Sequence, residues 1–255
     1  MYRVAGHMID THAHLAALDD PDADVERAAA AGVTRILTVG TDLPDCRRAL
    51  ALAETHAGVF AILGIHPHGA GEATEADLAA LRELLAHPKA VAVGETGLDW
   101  FRDYAPRDAQ QRLFAQQLEL ADDLGKPVVI HTRAADDDTL VALDGHGGTV
   151  VLHCFSSPHL LPTALERGWY VSFAGNATFP KAVDLRLAAR LVPAGRILAE
   201  TDSPYLAPQP VRGQRNEPAY VMHTLAALAA ARGDDLHELE LQIERNAAEC
   251  FGLPA

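Results

Sequence analysis

The sequence predicts an α/β protein, a single (β/α)8 barrel of the TIM type, on three observations. Its 255 residues match the usual length of one such barrel. Short apolar runs alternate with helical patterns from one end of the chain to the other. Eight of those runs read as strands, and no G-x-G-x-x-G follows the first, which favours a barrel over a dinucleotide-binding sheet. One domain over residues 1–255 is expected.

The expected strands are His7–His12, Thr34–Gly40, Val59–Ile65, Ala90–Gly94, Pro127–His131, Thr149–His153, Trp169–Ala174 and Arg196–Glu200. Most are rich in β-branched residues and continuous rather than alternating, as parallel strands buried on both faces should be. Helices are expected over Pro21–Ala31 and Pro44–Ala57. Thr74-Glu75-Ala76-Asp77 forms a capping box, with Asp for the usual Glu or Gln, ahead of a leucine-rich helix through Ala86. Asp108 is expected to cap a helix running to Leu124, with Gly125 and Pro127 as its stop. Asp137–Leu143, Pro158–Arg167, Lys181–Leu191, Pro218–Arg232 and Leu236–Phe251 complete the set. The irregular stretch Thr201–Glu217 is too long for a routine turn, and long loops of this kind are often functional.

Composition narrows the class. Hydrophobic residues make up 49% and charged residues 22%, a soluble globular profile. Cys46, Cys154 and Cys250 are widely spaced and odd in number, which fits free thiols in a reducing compartment better than disulfides or a CxxC zinc site. Residues 1–14 lack the apolar core of a signal peptide, and no apolar run approaches the roughly 20 residues that span a bilayer. A cytoplasmic protein is expected, without membrane contact or an obligate protein partner. The formal charge of −14 argues against a generally basic nucleic-acid-binding surface, but local arginines and bound metals can still hold phosphates.

The chemistry lies in what ends the strands. The first ends in Asp10-Thr11-His12-Ala13-His14, the third in Gly64-Ile65-His66-Pro67-His68, and the fourth in Gly94-Glu95-Thr96-Gly97-Leu98-Asp99. His131, His153 and Glu200-Thr201-Asp202 end the fifth, sixth and eighth. In a β/α barrel these ends converge on the face that carries active sites. Residues two apart in a strand face the same side, so His12 and His14 can reach one ion. His68, His56, His87, His146, His159, His223 and His237 are expected to be hydrogen-bonded or surface histidines without a metal role. Imidazole with carboxylate suits zinc, manganese, iron or nickel, and magnesium where supply favours it. No cysteine joins the set, so a catalytic site with room for water is expected rather than a closed structural one. Five or six candidate ligands exceed the need of one four-coordinate ion, and two ions bridged by a carboxylate accommodate them.

These segments, with His131-Thr132-Arg133, His153-Cys154-Phe155-Ser156, Glu200-Thr201-Asp202-Ser203-Pro204-Tyr205-Leu206 and Arg215-Asn216-Glu217-Pro218, resemble those of TatD-family metal-dependent deoxyribonucleases, a branch of the amidohydrolase-like barrels. They occur in family order along nearly the whole chain. The resemblance implies one metal held by His12, His14, Glu95 and Asp202, and a second by Glu95, His131 and His153, with Glu95 bridging. Related branches bridge with a modified lysine, whereas here Lys89, Lys126 and Lys181 are the only lysines and none ends a strand. His66 and Glu200 are further catalytic candidates. Trp100-Phe101 stands where tyrosines are frequent in the family, and Ala134 where an acid often follows the arginine.

The expected activity is divalent-metal-dependent hydrolysis of phosphodiester bonds in DNA, resembling a 3′–5′ exonuclease on single strands or ends. The cofactors would be two divalent cations (magnesium, manganese or zinc). Asp202 would bind metal and accept the proton of the attacking water, while Arg133 and Arg215 would hold phosphate by bidentate hydrogen bonds. The alternatives are a metal-dependent esterase or amidase, for example on aminoacyl-tRNA, and a non-catalytic metal-binding scaffold.

Overall fold

The computed structural model describes residues 7–102 and 104–254. Its strands are β1 (Met8–Ala13), β2 (Val33–Gly40), β3 (Val59–Leu63), β4 (Ala90–Asp99), β5 (Val128–Arg133), β6 (Val150–Leu152), β7 (Tyr170–Phe173) and β8 (Ile197–Ala199). They form one sheet in sequence order, each parallel to the next. A bridge between Ala13 and Ser203 brings the last strand round to the first, so the sheet is a nearly closed (β/α)8 barrel. Two backbone bonds hold that seam: Asp202 N–H donates to the His12 carbonyl at 2.9 Å, and His14 N–H to the Ser203 carbonyl at 2.8 Å. Apart from the start of β2 and the end of β5, the strands are buried throughout, the physical origin of their non-alternating sequence.

The helices are α1 (Pro21–Ala30), α2 (Leu43–Thr55), α3 (Glu75–Leu85), α4 (Arg107–Leu124), α5 (Asp136–Ala142), α6 (Leu161–Glu166), α7 (Val183–Leu191), α8 (Val221–Arg232) and α9 (Leu236–Phe251). α2 packs on β2 and β3, α4 on β4, and α9 on β1 and β8. The capping box forms as the sequence predicts: Asp77 N–H donates to the Thr74 hydroxyl, and the Thr74 N–H donates back to the Asp77 carboxylate.

Most element ends fall within one or two residues of expectation, and the larger departures have local causes. β4 does not stop at Gly94 but continues through Glu95 to Asp99. Gly94 and Gly97, at φ of 151° and 136°, make this possible. A Cβ on Gly97 would lie 2.0 Å from the His131 carbonyl oxygen, so only glycine lets β4 pass β5 there. Asp108 does not cap α4. The helix begins at Arg107 after Pro106, and Asp108 sits in the first turn, where its charge complements the helix dipole. Pro158–Leu160 and Pro218–Tyr220 are single 3-10 turns that lead into α6 and α8 rather than α-helix from the proline onward.

Candidate metal centre

At the C-terminal end of the barrel the strand-end residues converge on one buried carboxylate. Glu95 projects from the middle of β4, and its two oxygens face different partners. Oε1 lies 2.8 Å from His131 Nδ1, 2.8 Å from His153 Nε2 and 3.5 Å from His66 Nε2. Oε2 lies 3.6 Å from His12 Nε2 and 3.9 Å from His14 Nε2. Asp202, on the segment after β8, reaches the second group, with Oδ1 3.3 Å from His14 Nε2 and 4.0 Å from His12 Nε2. Asp202 takes a left-handed conformation at φ of 56°, which Asp tolerates better than most residues.

The donor set fits divalent metal. His12, His14 and Glu95 can hold an ion, as can His12, His153 and Asp202, and His66, Glu95 and His131. Both ring nitrogens of His12 are buried with no hydrogen-bond partner. A buried polar side chain left so is costly, and a ligated metal would satisfy it. The ring instead stacks on His153, with centroids 4.0 Å apart.

Behind these groups stands a second tier of carboxylates. Asp99 Oδ2 accepts from His131 Nε2 at 3.2 Å and from His68 Nε2 at 2.9 Å. Glu200 Oε1 is 3.2 Å from His153 Nδ1 and accepts the Cys154 N–H at 2.7 Å, while its Oε2 accepts from the Ser172 hydroxyl. A carboxylate on the far nitrogen of an imidazole fixes ring orientation and tautomer, and leaves the near nitrogen free to ligate. Asp10 accepts from the His12 and Thr201 N–H groups at 3.3 and 2.8 Å, tying β1 to the segment that carries Asp202. Asn216 donates to the Thr201 and Tyr205 carbonyls and so anchors the loop after β8.

Burial and charge oppose each other here. Burial alone would raise the Glu95 carboxyl, but the charges of His153 and His66 and the hydrogen bond of His131 hold it well below its ordinary value. Burial likewise raises Asp202, and His14 outweighs it, leaving that carboxyl depressed. Burial lowers His153, yet Glu95 and Glu200 bring it well above 6.5. At His12 and His66 burial prevails, and His66 falls to about 4. Asp10 is pushed up to about 8, chiefly by burial.

Every metal-ligand candidate read from the sequence thus meets at one place, together with His66 and Glu200. Of the remaining histidines, His68 is hydrogen-bonded as expected, but its partner is Asp99, one bond from His131. His56, His87, His146, His159 and His237 instead pair with Asp22, Glu54, Asp122, Asp137 and Glu240. Arg133 ends β5 with its guanidinium 4.0 Å from the Phe101 ring centroid, whereas Arg215 pairs with Asp19 at 2.9 Å. Asp99 was not among the sequence candidates. Its signal was there: in an extended strand, residues four apart share a face, so Asp99 follows Glu95 onto the site.

The family model described as TatD related DNase matches residues 9–252. The metal-dependent hydrolase TatD of Mycobacterium tuberculosis is 42% identical, over 96% of this chain and 98% of its own. The 3′-5′ ssDNA/RNA exonuclease TatD of Enterobacter lignolyticus is 37% identical, over 92% of this chain and 94% of its own. The crystal structure of YJJV, a TatD homologue from Escherichia coli K12, superposes with a TM-score of 0.92 at 32% identity, covering 97% of this chain and 98% of the other.

Proposed function

Because this chain belongs to the TatD-related DNase family of metal-dependent hydrolases, we propose that it hydrolyses phosphodiester bonds of single-stranded nucleic acid, trimming from 3′ ends, at a centre of two divalent cations. The observation that carries this reading is the division of Glu95: Oε1 toward His131 and His153, Oε2 toward His12 and His14. One carboxylate placed so suits a bridge between two ions. The relative named as an exonuclease on single-stranded DNA and RNA supports the substrate class.

His12, His14, Glu95 and Asp202 would hold one ion, and Glu95, His131 and His153 the other. Bound there, the cations would supply Lewis acidity and bring the pKa of water toward neutrality. Asp202, ionised because His14 depresses its carboxyl, is placed to accept a proton from the attacking water. Glu200 and Asp99 hold the rings of His153 and His131 in register. Arg133 has no carboxylate partner among the described residues and is free to take a phosphate oxygen. Arg215 must first leave Asp19, an exposed pair worth at most about 1 kcal/mol. The three free thiols fit a reducing compartment, which favours the cytoplasm.

The test is incubation of purified protein with manganese or magnesium and single-stranded DNA. Degradation from the 3′ end, stopped by EDTA and reduced at least 100-fold by Asp202→Asn with unchanged circular dichroism, is expected. Metal-loaded protein that leaves DNA and RNA intact while cleaving aminoacyl esters would replace the nuclease reading with the esterase one.

A further inference from the structure

Among the described residues the exposed aromatic side chains are Phe101, Tyr104 and Tyr205, at 61, 64 and 58%. The exposed large aliphatics, such as Val141, Val183, Leu187 and Leu236, lie on the outer helices α5, α7 and α9. The aromatics are confined to the mouth of the barrel, one group on each side of Glu95. The Tyr205 ring meets the His14 ring edge to face at 5.7 Å, on the Oε2 side. The Tyr104 ring meets His68 at 4.8 Å, on the Oε1 side, where His68 and His131 share Asp99. Guanidinium groups are interleaved with this second group: Arg133 lies 4.0 Å from the Phe101 centroid, and Arg102 5.7 and 6.0 Å from those of Phe101 and Tyr104.

Rings left open to water lose the stabilisation that burial would give, and a monomer's fold has no need of three at one mouth. Alternating aromatic and cationic groups are what a single strand requires: a π-face for each base and a positive charge for each phosphate. Bases inside a duplex are already stacked on one another and cannot offer their faces.

The geometry points to Phe101, Tyr104 and Tyr205 as base-stacking platforms that flank the metal centre, holding the nucleotides on either side of the scissile phosphate and selecting single strands over duplex. This inference rests on the nuclease reading above. Tyr205 receives a base beside the His12, His14 and Asp202 group, and Phe101 with Tyr104 receives one beyond His131. The platforms select for unpaired bases, not for base identity.

The test compares manganese-loaded wild type with Phe101→Ala, Tyr104→Ala and Tyr205→Ala on a single-stranded oligodeoxynucleotide, the matching duplex, and methyl 4-nitrophenyl phosphate, which carries no base. Each alanine variant should lower the ratio of kcat/KM for single-stranded DNA to that for the base-free ester by roughly 5- to 150-fold, mainly through KM. Tyr104→Phe and Tyr205→Phe should restore the ratio, since the ring and not the hydroxyl does the work. Quenching of 2-aminopurine placed next to the scissile phosphate should weaken with each alanine. Wild-type ratios and wild-type quenching in all three alanine variants would overturn the stacking role and leave the nuclease reading intact. A wild-type enzyme that hydrolyses neither DNA nor the base-free ester would remove both.

Discussion

Glu200 touches no candidate metal position, yet it orients a residue that does. It is fully buried, and it holds His153 Nδ1, the Cys154 N–H and the Ser172 hydroxyl. Glu200→Gln keeps the volume but removes the charge that fixes the His153 tautomer. On the proposed two-ion centre, the affinity for the ion that His153 would hold should fall about 10- to 100-fold, with the other much less affected. Competition against a chelator would measure both affinities, and equal losses at the two positions would deny Glu200 this role. At this scale the candidate ligands were legible in the sequence, because a side chain's chemistry and its place at a strand end are both local facts. What was not legible is how the second tier is bonded: Asp10 with Thr201 and Glu200 with Ser172 join residues far apart in the chain. Closure of the barrel brings Asp10 to Thr201, and the pairing of β7 with β8 brings Ser172 to Glu200.

Among the elements, α3 carries its start signal in plain view. The Thr74 hydroxyl and N–H donate to Asp77 and hold that carboxyl below its ordinary 3.8. A depressed folded-state value means the contribution is present above the unfolded value, and is lost as pH falls through the folded one. The Tm gap between wild type and Asp77→Asn should therefore stay constant from pH 7 to pH 5, then close as pH drops below about 3.8. A gap that widens in acid would contradict the capping box. Thr74→Ala should cost about 1 kcal/mol in denaturant unfolding at pH 7. β4 is the opposite case. Gly94 and Gly97 interrupt the apolar run, and so the expected strand stopped at Gly94, one residue short of Glu95. Contact with β5 decides otherwise, since the missing Cβ atoms allow an approach that no local pattern announces.

For the whole molecule, eight buried parallel strands bring groups on or just after β1, β3, β5 and β6 within reach of the one carboxylate on β4, with Asp202 added from the segment after β8. The fold class was readable because strands covered on both faces must be apolar without alternation, and that pattern survives in the sequence. The chain's charge of −14 makes cation capture favourable, while Arg102, Arg107 and Arg133 lie against aromatic rings and would supply the local positive charge that the proposed substrate needs. The central claim is that Glu95 joins two ions. Metal stoichiometry by inductively coupled plasma mass spectrometry, on wild type and Glu95→Gln after equilibration with manganese and desalting, tests it most directly. The account predicts two ions per wild-type chain and a loss of occupancy at both positions in the variant. One ion per wild-type chain, or two retained by Glu95→Gln, would contradict it.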